Sequence, residues 1–161
     1  MKLPPSRTER IKAGRCIRSF GVLVLAAVLP CTAAALDFRS VAAERATLYD
    51  APSLQAKKLY TVGKYYPVEV IVSLEPFVKV RDHAGELSWI EKKNLSETRT
   101  VVVTAPRADI RQAPDKNAPL TFQAERDVAL ELVEQNRNGW AKVRHRDGQG
   151  GFVAISQVWG L

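Results

Sequence analysis

From residue 36 onward, apolar and polar side chains alternate in short runs that are broken by turn residues. Val68, Val70 and Val72 alternate with Glu69 and Ile71, and further on Val128, Leu130 and Leu132 alternate with Ala129, Glu131 and Val133. A period of two sets one series of side chains on one face of a strand, so these runs predict strands with one face turned to a core. The same parity turns Val78, Val80, Ala141 and Val143 inward. It leaves Phe77, Lys79 and Arg81, and likewise Trp140, Lys142 and Arg144, on the outward face. Turn residues fall between the runs: Glu75 and Pro76, residues 82–85, residues 136–139 and residues 146–148. Glycine or proline there sets the backbone angles a reversal needs. No stretch beyond residue 35 carries a helical stripe, and the pattern predicts small all-β barrels.

The pattern is written twice. Val41 recurs as Val103, 62 positions on, and at the same offset Ala43, Arg45, Ala46, Ala51, Pro52, Ala56 and Glu69 recur as Ala105, Arg107, Ala108, Ala113, Pro114, Ala118 and Glu131. One inserted residue at Asn138 shifts the offset to 63, which aligns Lys79, Val80 and Arg81 with Lys142, Val143 and Arg144, and Gly85 with Gly148. Other pairs exchange like for like: Leu48 with Ile110, Phe77 with Trp140, Trp89 with Phe152, Ile90 with Val153. An ordered self-match of this kind marks an internal duplication. The expected organisation is a leader over 1–35, a first unit over 36–97 and a second over 98–161. Between them Ser96 to Arg99 is polar and Thr100 to Thr104 is β-branched, with no flexible spacer, so the barrels are expected to hold a fixed mutual orientation. A unit of about 60 residues buries only about 60% of its unfolded surface, so docking on its twin would add stability.

The first 35 residues read as an export signal. Lys2, Arg7, Arg10, Lys12, Arg15 and Arg18 precede an apolar run from Phe20 to Leu29, Pro30 breaks it, and Ala33, Ala34 and Ala35 supply small residues at a cleavage point. This is the layout of a secretory signal peptide cut between Ala35 and Leu36. An uncleaved anchor needs roughly 20 apolar residues, about twice what this run offers. A lipoprotein is disfavoured because Pro30 stands before Cys31, where a small flexible residue is required. The leader holds six of the 24 Lys and Arg and one of the 17 Asp and Glu. Without it the chain has 18 basic against 16 acidic residues, a net +2, which removes the basis for nucleic-acid binding. Both cysteines, Cys16 and Cys31, lie in the leader too. The mature chain is expected to have no disulfide, no thiolate nucleophile, no metal site and no cofactor.

The stretches "RADIRQAPDKNAP" and "ALELVEQNRNGWAKVRHRDGQGGFVAISQV" resemble the bacterial SH3 domain: an Arg-x-x-Pro turn, a hydrophobic strand, an Asn-Gly-Trp hairpin into a Lys-Val strand, and a Gly-aromatic-Val strand into a short 3₁₀ turn. The first unit is similar to the variant class of that domain found in paired copies, with Phe77 where Trp is usual and Glu75-Pro76 replacing Asn-Gly. The resemblance spans residues 37–161 and implies two tandem SH3-like β-barrels in an exported, periplasmic protein. It also implies a non-catalytic binding module whose partner is cell-wall peptidoglycan or its peptides. The alternative is a periplasmic adaptor that binds an envelope protein and no cell-wall ligand. Nucleic acid and stable membrane insertion are not expected.

Candidate ligand-binding residues follow from the outward parity and the aromatics: Tyr49, Phe77 and Trp89 in the first unit, and Arg111, Trp140, Lys142, Arg144 and Phe152 in the second. An aromatic beside Lys and Arg on an exposed sheet suits a peptide, a sugar ring or an acidic polymer. Trp140 has two readings, a ring offered to a ligand or a cap on the barrel rim or the other unit. Tyr49, Tyr60, Tyr65, Tyr66 and Trp89 could line a shallow groove, and Trp159 is expected to plug one barrel end. His83 and His145 read as exposed turn residues. No convergent acid, base or nucleophile points to an enzyme.

Overall fold

The computed structural model describes residues 36–135 and 138–161. The leader and its cut therefore lie outside the described residues, as do Asn136 and Arg137 of the predicted hairpin. Fourteen strands and two single-turn 3₁₀ segments, Lys92–Asn94 and Ile155–Gln157, make up the described chain. The first seven strands are β1 (Phe38–Val41), β2 (Arg45–Tyr49), β3 (Lys58–Gly63), β4 (Pro67–Ser73), β5 (Phe77–Arg81), β6 (Leu87–Glu91) and β7 (Leu95–Ser96). The second seven are β8 (Thr100–Val103), β9 (Arg107–Arg111), β10 (Leu120–Glu125), β11 (Ala129–Gln135), β12 (Trp140–Arg144), β13 (Gly150–Ala154) and β14 (Val158–Trp159). They form two antiparallel sheets with the same permutation, β3-β2-β6-β5-β4-β1-β7 and β10-β9-β13-β12-β11-β8-β14. The duplication is thus a duplication of topology. The fold is all-β, with two tandem SH3-like barrels.

Each barrel closes on its own apolar centre. Val41, Ala46, Leu48, Val62, Val68, Val78, Val80 and Ile90 fill the first, and the second is filled by their counterparts, from Val103, Ala108 and Ile110 to Val143 and Val153. The predicted parity holds at Val78, Val80, Ala141 and Val143. It fails at Val72, which is 42% exposed. The cause is a β-bulge: β4 pairs Val70 with Val80 but Val72 with Lys79, so Ile71 is an extra residue and everything beyond it changes face. The second unit bulges at the equivalent place, where Leu132 pairs with Val143 and Glu134 with Lys142, leaving Val133 exposed.

β1 and β8 are the exceptions to one-sided burial. Thr100, Val101, Val102 and Val103 are all buried, as are Phe38, Ser40 and Val41. Val41, Val101 and Val103 belong to the barrel cores, whereas Phe38 and Val102 belong to neither and face the junction of the two barrels. A strand covered on both faces reads as a continuous β-branched run rather than an alternation, which is what residues 100–104 show. Trp159 belongs to this junction and does not plug a barrel end. Its ring meets Phe38 edge-on at 5.0 Å, and the Arg99 guanidinium lies 5.5 Å from the same Phe38 ring while donating to the Gly160 carbonyl at 3.1 Å. Tryptophan is short of apolar neighbours at the end of a two-residue strand, and the neighbouring barrel provides them.

Candidate binding surfaces

The outward face of β2, β6 and β5 gathers the first set of candidate residues. Pairing places Tyr49 opposite Trp89 and Lys79 opposite Trp89, so all three point the same way. The Lys79 ammonium lies 5.9 Å from the Trp89 ring centre. Phe77 shares this face, yet it is only 4% exposed, because its ring packs edge-on against Tyr49 at 6.0 Å. The expectation of an exposed Phe77 is therefore corrected. Outward on a small barrel is not the same as solvated: two rings from strands flanking β6 cover one another. Tyr49 is buried with it, and the accessible part of the face is Lys79 and Trp89.

The second barrel repeats the arrangement with one exchange. Lys142 and Arg111 both lie opposite Phe152, and the Lys142 ammonium stands 5.9 Å from the Phe152 ring centre. Arg111 occupies the place of Tyr49 and is held by the Asp109 carboxylate at 2.6 Å and the Ala118 carbonyl at 2.7 Å. Trp140, at the place of Phe77, is half-buried and lies opposite Ala154. Arg144 does not join this group. Its guanidinium grips Glu131 on β11 at 2.9 and 3.1 Å, as Arg81 reaches Glu69 at 3.2 Å in the first barrel. Lys79, the counterpart of Lys142, is a further candidate; the parity of β5 together with the repeat was the signal for it.

A second concavity lies between the barrels, with a volume of 610 Å³. The first barrel contributes Lys64, Tyr65 and Tyr66, and the second contributes Asp127, Glu131, Arg144, His145 and Arg146. Beside it Tyr66 Oη and His83 Nδ1 are 2.7 Å apart, and His83 Nε2 lies 3.7 Å from the Asp127 carboxylate of the other barrel. Both histidines are half-buried rather than exposed: His145 packs near Phe122 and sits 3.0 Å from Asp147. The tyrosines predicted to share one groove are thereby divided. Tyr65 and Tyr66 belong to the inter-barrel cleft, Tyr49 and Trp89 to the outer face, and Tyr60 donates to Asp82 at 2.7 Å. Burial, reinforced by the Asp82 charge, pushes the Tyr66 phenol up to about 12, and burial together with the Asp82 hydrogen bond raises Tyr60 as well. Among the described residues no group of three or more His, Cys, Asp or Glu side chains is placed to hold a metal ion.

No curated protein matches the chain. Solved structures that resemble it include NlpC2 and NlpC1 from Trichomonas vaginalis and an NlpC/P60 family protein from Bacillus cereus. Identities are 18%, 17% and 16%, and TM-scores are 0.36, 0.36 and 0.37. The matches cover 78%, 77% and 76% of this chain but only 48%, 45% and 55% of theirs, so the chain spans about half the length of these proteins. The family model described as bacterial SH3 domain matches twice, over residues 42–97 and 104–160, each match covering all but the first strand of one seven-stranded sheet. The chain belongs to the bacterial SH3 domain family.

Proposed function

We propose that this protein is a non-catalytic, exported binding module of the cell envelope that engages peptidoglycan through the outer sheet faces of its two barrels. The leader over 1–35 directs it to the periplasm, and domains over 36–97 and 98–161 carry the sites. One observation carries the reading: both copies present an ammonium over a partly exposed aromatic ring at the same strand positions, Lys79 on Trp89 and Lys142 on Phe152. Such a pair offers a sugar ring an apolar face and a nearby carboxylate a point charge. Arg111 and Trp140 extend the second site, while Tyr49 and Phe77, packed on each other, flank the first on the same face. The near-neutral mature charge favours a ligand of mixed character over a polyanion.

Co-sedimentation of the mature protein with isolated cell-wall sacculi at low salt is the test. Binding is expected, and it should fall in Trp89→Ala and in Phe152→Ala, with the larger loss when the two are combined. No sedimentation above a control protein, or full binding by the double variant, would refute the proposal. Loss of binding to sacculi with capture of a crosslinked envelope protein would instead favour the adaptor reading.

A further inference from the structure

Two turns at equivalent positions hold a non-glycine residue in the left-handed region, Tyr65 at φ 68° and Asp127 at φ 67°. The same hydrogen bonds impose both. Tyr65 N–H donates to the Val41 carbonyl at 2.8 Å and Val41 N–H to the Tyr66 carbonyl at 3.0 Å; Asp127 N–H donates to Val103 at 2.9 Å and Val103 N–H to Val128 at 3.0 Å. Aspartate tolerates this conformation because its short polar side chain bonds locally, whereas a bulky tyrosine there is a true outlier. Burial does not offset the strain at Tyr65. Its side chain is 40% exposed and joins neither barrel core. The turn would form more cheaply with Asn or Gly, so the ring is held at a cost the fold does not require. Strain of that kind points to function.

The ring stands in the 610 Å³ cleft between the barrels. The Lys64 ammonium lies 5.5 Å from its centre. The other groups in the cleft carry both signs of charge, and some are already engaged: Lys64 with Glu44 at 2.8 Å, Arg144 with Glu131 at 2.9 Å. Arg146 makes no ion pair within 4 Å among the described residues and feels only the charge of the Glu44 carboxylate that Lys64 holds. The Asp127 carboxylate is mostly exposed, and its nearest cation is His83 at 3.7 Å, a cation only when protonated. One basic and one acidic group are therefore open on the same wall, next to an aromatic face.

We infer that the inter-barrel cleft binds an amphoteric peptide, with Tyr65 as its selective platform. A carboxylate of the peptide meets Arg146, an amine meets Asp127, and the aliphatic part lies on the Tyr65 ring. With Lys64 and Arg144 already paired, the open Asp127 disfavours a polyanion and the open Arg146 a polycation. The inference rests on the cell-wall reading for the peptide's source, and it adds a site distinct from the outer faces.

The probe is the synthetic tetrapeptide Ala-Glu-Lys-Ala with free termini, titrated into the ¹⁵N-labelled mature protein. Amide shifts are expected to concentrate in residues 63–66, 127–129 and 145–148. Tyr65→Asn is expected to weaken binding by about tenfold while leaving the melting temperature unchanged or higher, since it relieves the left-handed strain. Acetylating both amines of the peptide, the N-terminus and the Lys side chain, or Asp127→Asn, should weaken it as well. Absence of shifts in these segments overturns the inference, as does unaltered affinity in Tyr65→Asn. So does a lowered melting temperature in that variant, which would make the ring structural. Sacculus binding without tetrapeptide binding would sink this site and leave the outer faces standing; tetrapeptide binding without sacculus binding would do the reverse.

Discussion

Replacing Gly151 with alanine should damage the second barrel far more than the loss of a hydrogen atom suggests. Gly151 is buried on β13, where that strand crosses β9. A Cβ added there would lie 2.5 Å from the Arg111 carbonyl oxygen and 2.7 Å from the Ile110 Cγ2. The first contact is with backbone, which no rotamer change can relieve, so β9 and β13 must part by several tenths of an ångström. Overpacking of a well-filled site costs about 1–3 kcal/mol, and a backbone clash belongs in the upper half of that range. The first barrel tells how the strain can be eased. Its equivalent residue is Ser88, buried and accommodated, and the facing residue there is Leu48, which has no methyl branch at Cβ. Gly151→Ala combined with Ile110→Leu should accordingly recover part of the loss, with a coupling of roughly 1 kcal/mol between the two sites. Gly63→Ala is the control, because a Cβ there meets nothing within 4 Å, and its effect should stay within about 0.5 kcal/mol. Urea unfolding followed by tryptophan fluorescence measures the parent, both single variants of the cycle, the double variant and Gly63→Ala. A Gly151→Ala protein as stable as the parent, or a double variant no better than the single one, would refute the reasoning.

Other changes separate structural from binding roles. Phe77→Ala, which opens a void beside Tyr49, should cost about 3 kcal/mol in denaturant unfolding, whereas Trp140→Ala at the half-exposed twin position should cost roughly 1 kcal/mol; equal losses would contradict the burial difference. Raising the pH should weaken the fold as the phenols ionise. A phenol whose folded pKa lies above its unfolded value contributes stability that is complete below pH about 10 and is lost as pH rises through its folded value. With Tyr66 at about 12 and Tyr60 also raised, the melting temperature should fall between pH 10 and 12, and less steeply in Tyr66→Phe; a flat profile would argue against the burial of Tyr66 and the Tyr60–Asp82 hydrogen bond. Gly160→Ala, at φ 114° with an added Cβ 2.7 Å from the Thr100 carbonyl and 3.2 Å from Pro67 of the other barrel, should loosen the junction. Limited proteolysis near residues 97–100 would then speed up, and an unchanged cleavage rate would count against a tight junction there.

Much of this was legible in the residue pattern. Alternation at period two fixed which side chains of β5 and β12 enter the cores, and the 62-residue self-match announced that one topology occurs twice. Both are local properties, set by strand geometry and by turn residues close in sequence. Three-dimensional packing decided the rest. Bulges at Ile71 and Val133 reverse parity within a strand, and nothing in the apolar pattern marks where an extra residue enters. Phe77 is outward by parity yet buried by Tyr49, a contact across three strands. The cleft forms where the two barrels meet, beside a junction in which Phe38 of β1 packs on Trp159, and it brings Tyr65 and Asp127, 62 residues apart, to one opening. Sequence determines what each strand can bury on its own; only the docking of two barrels determines what their shared boundary leaves exposed.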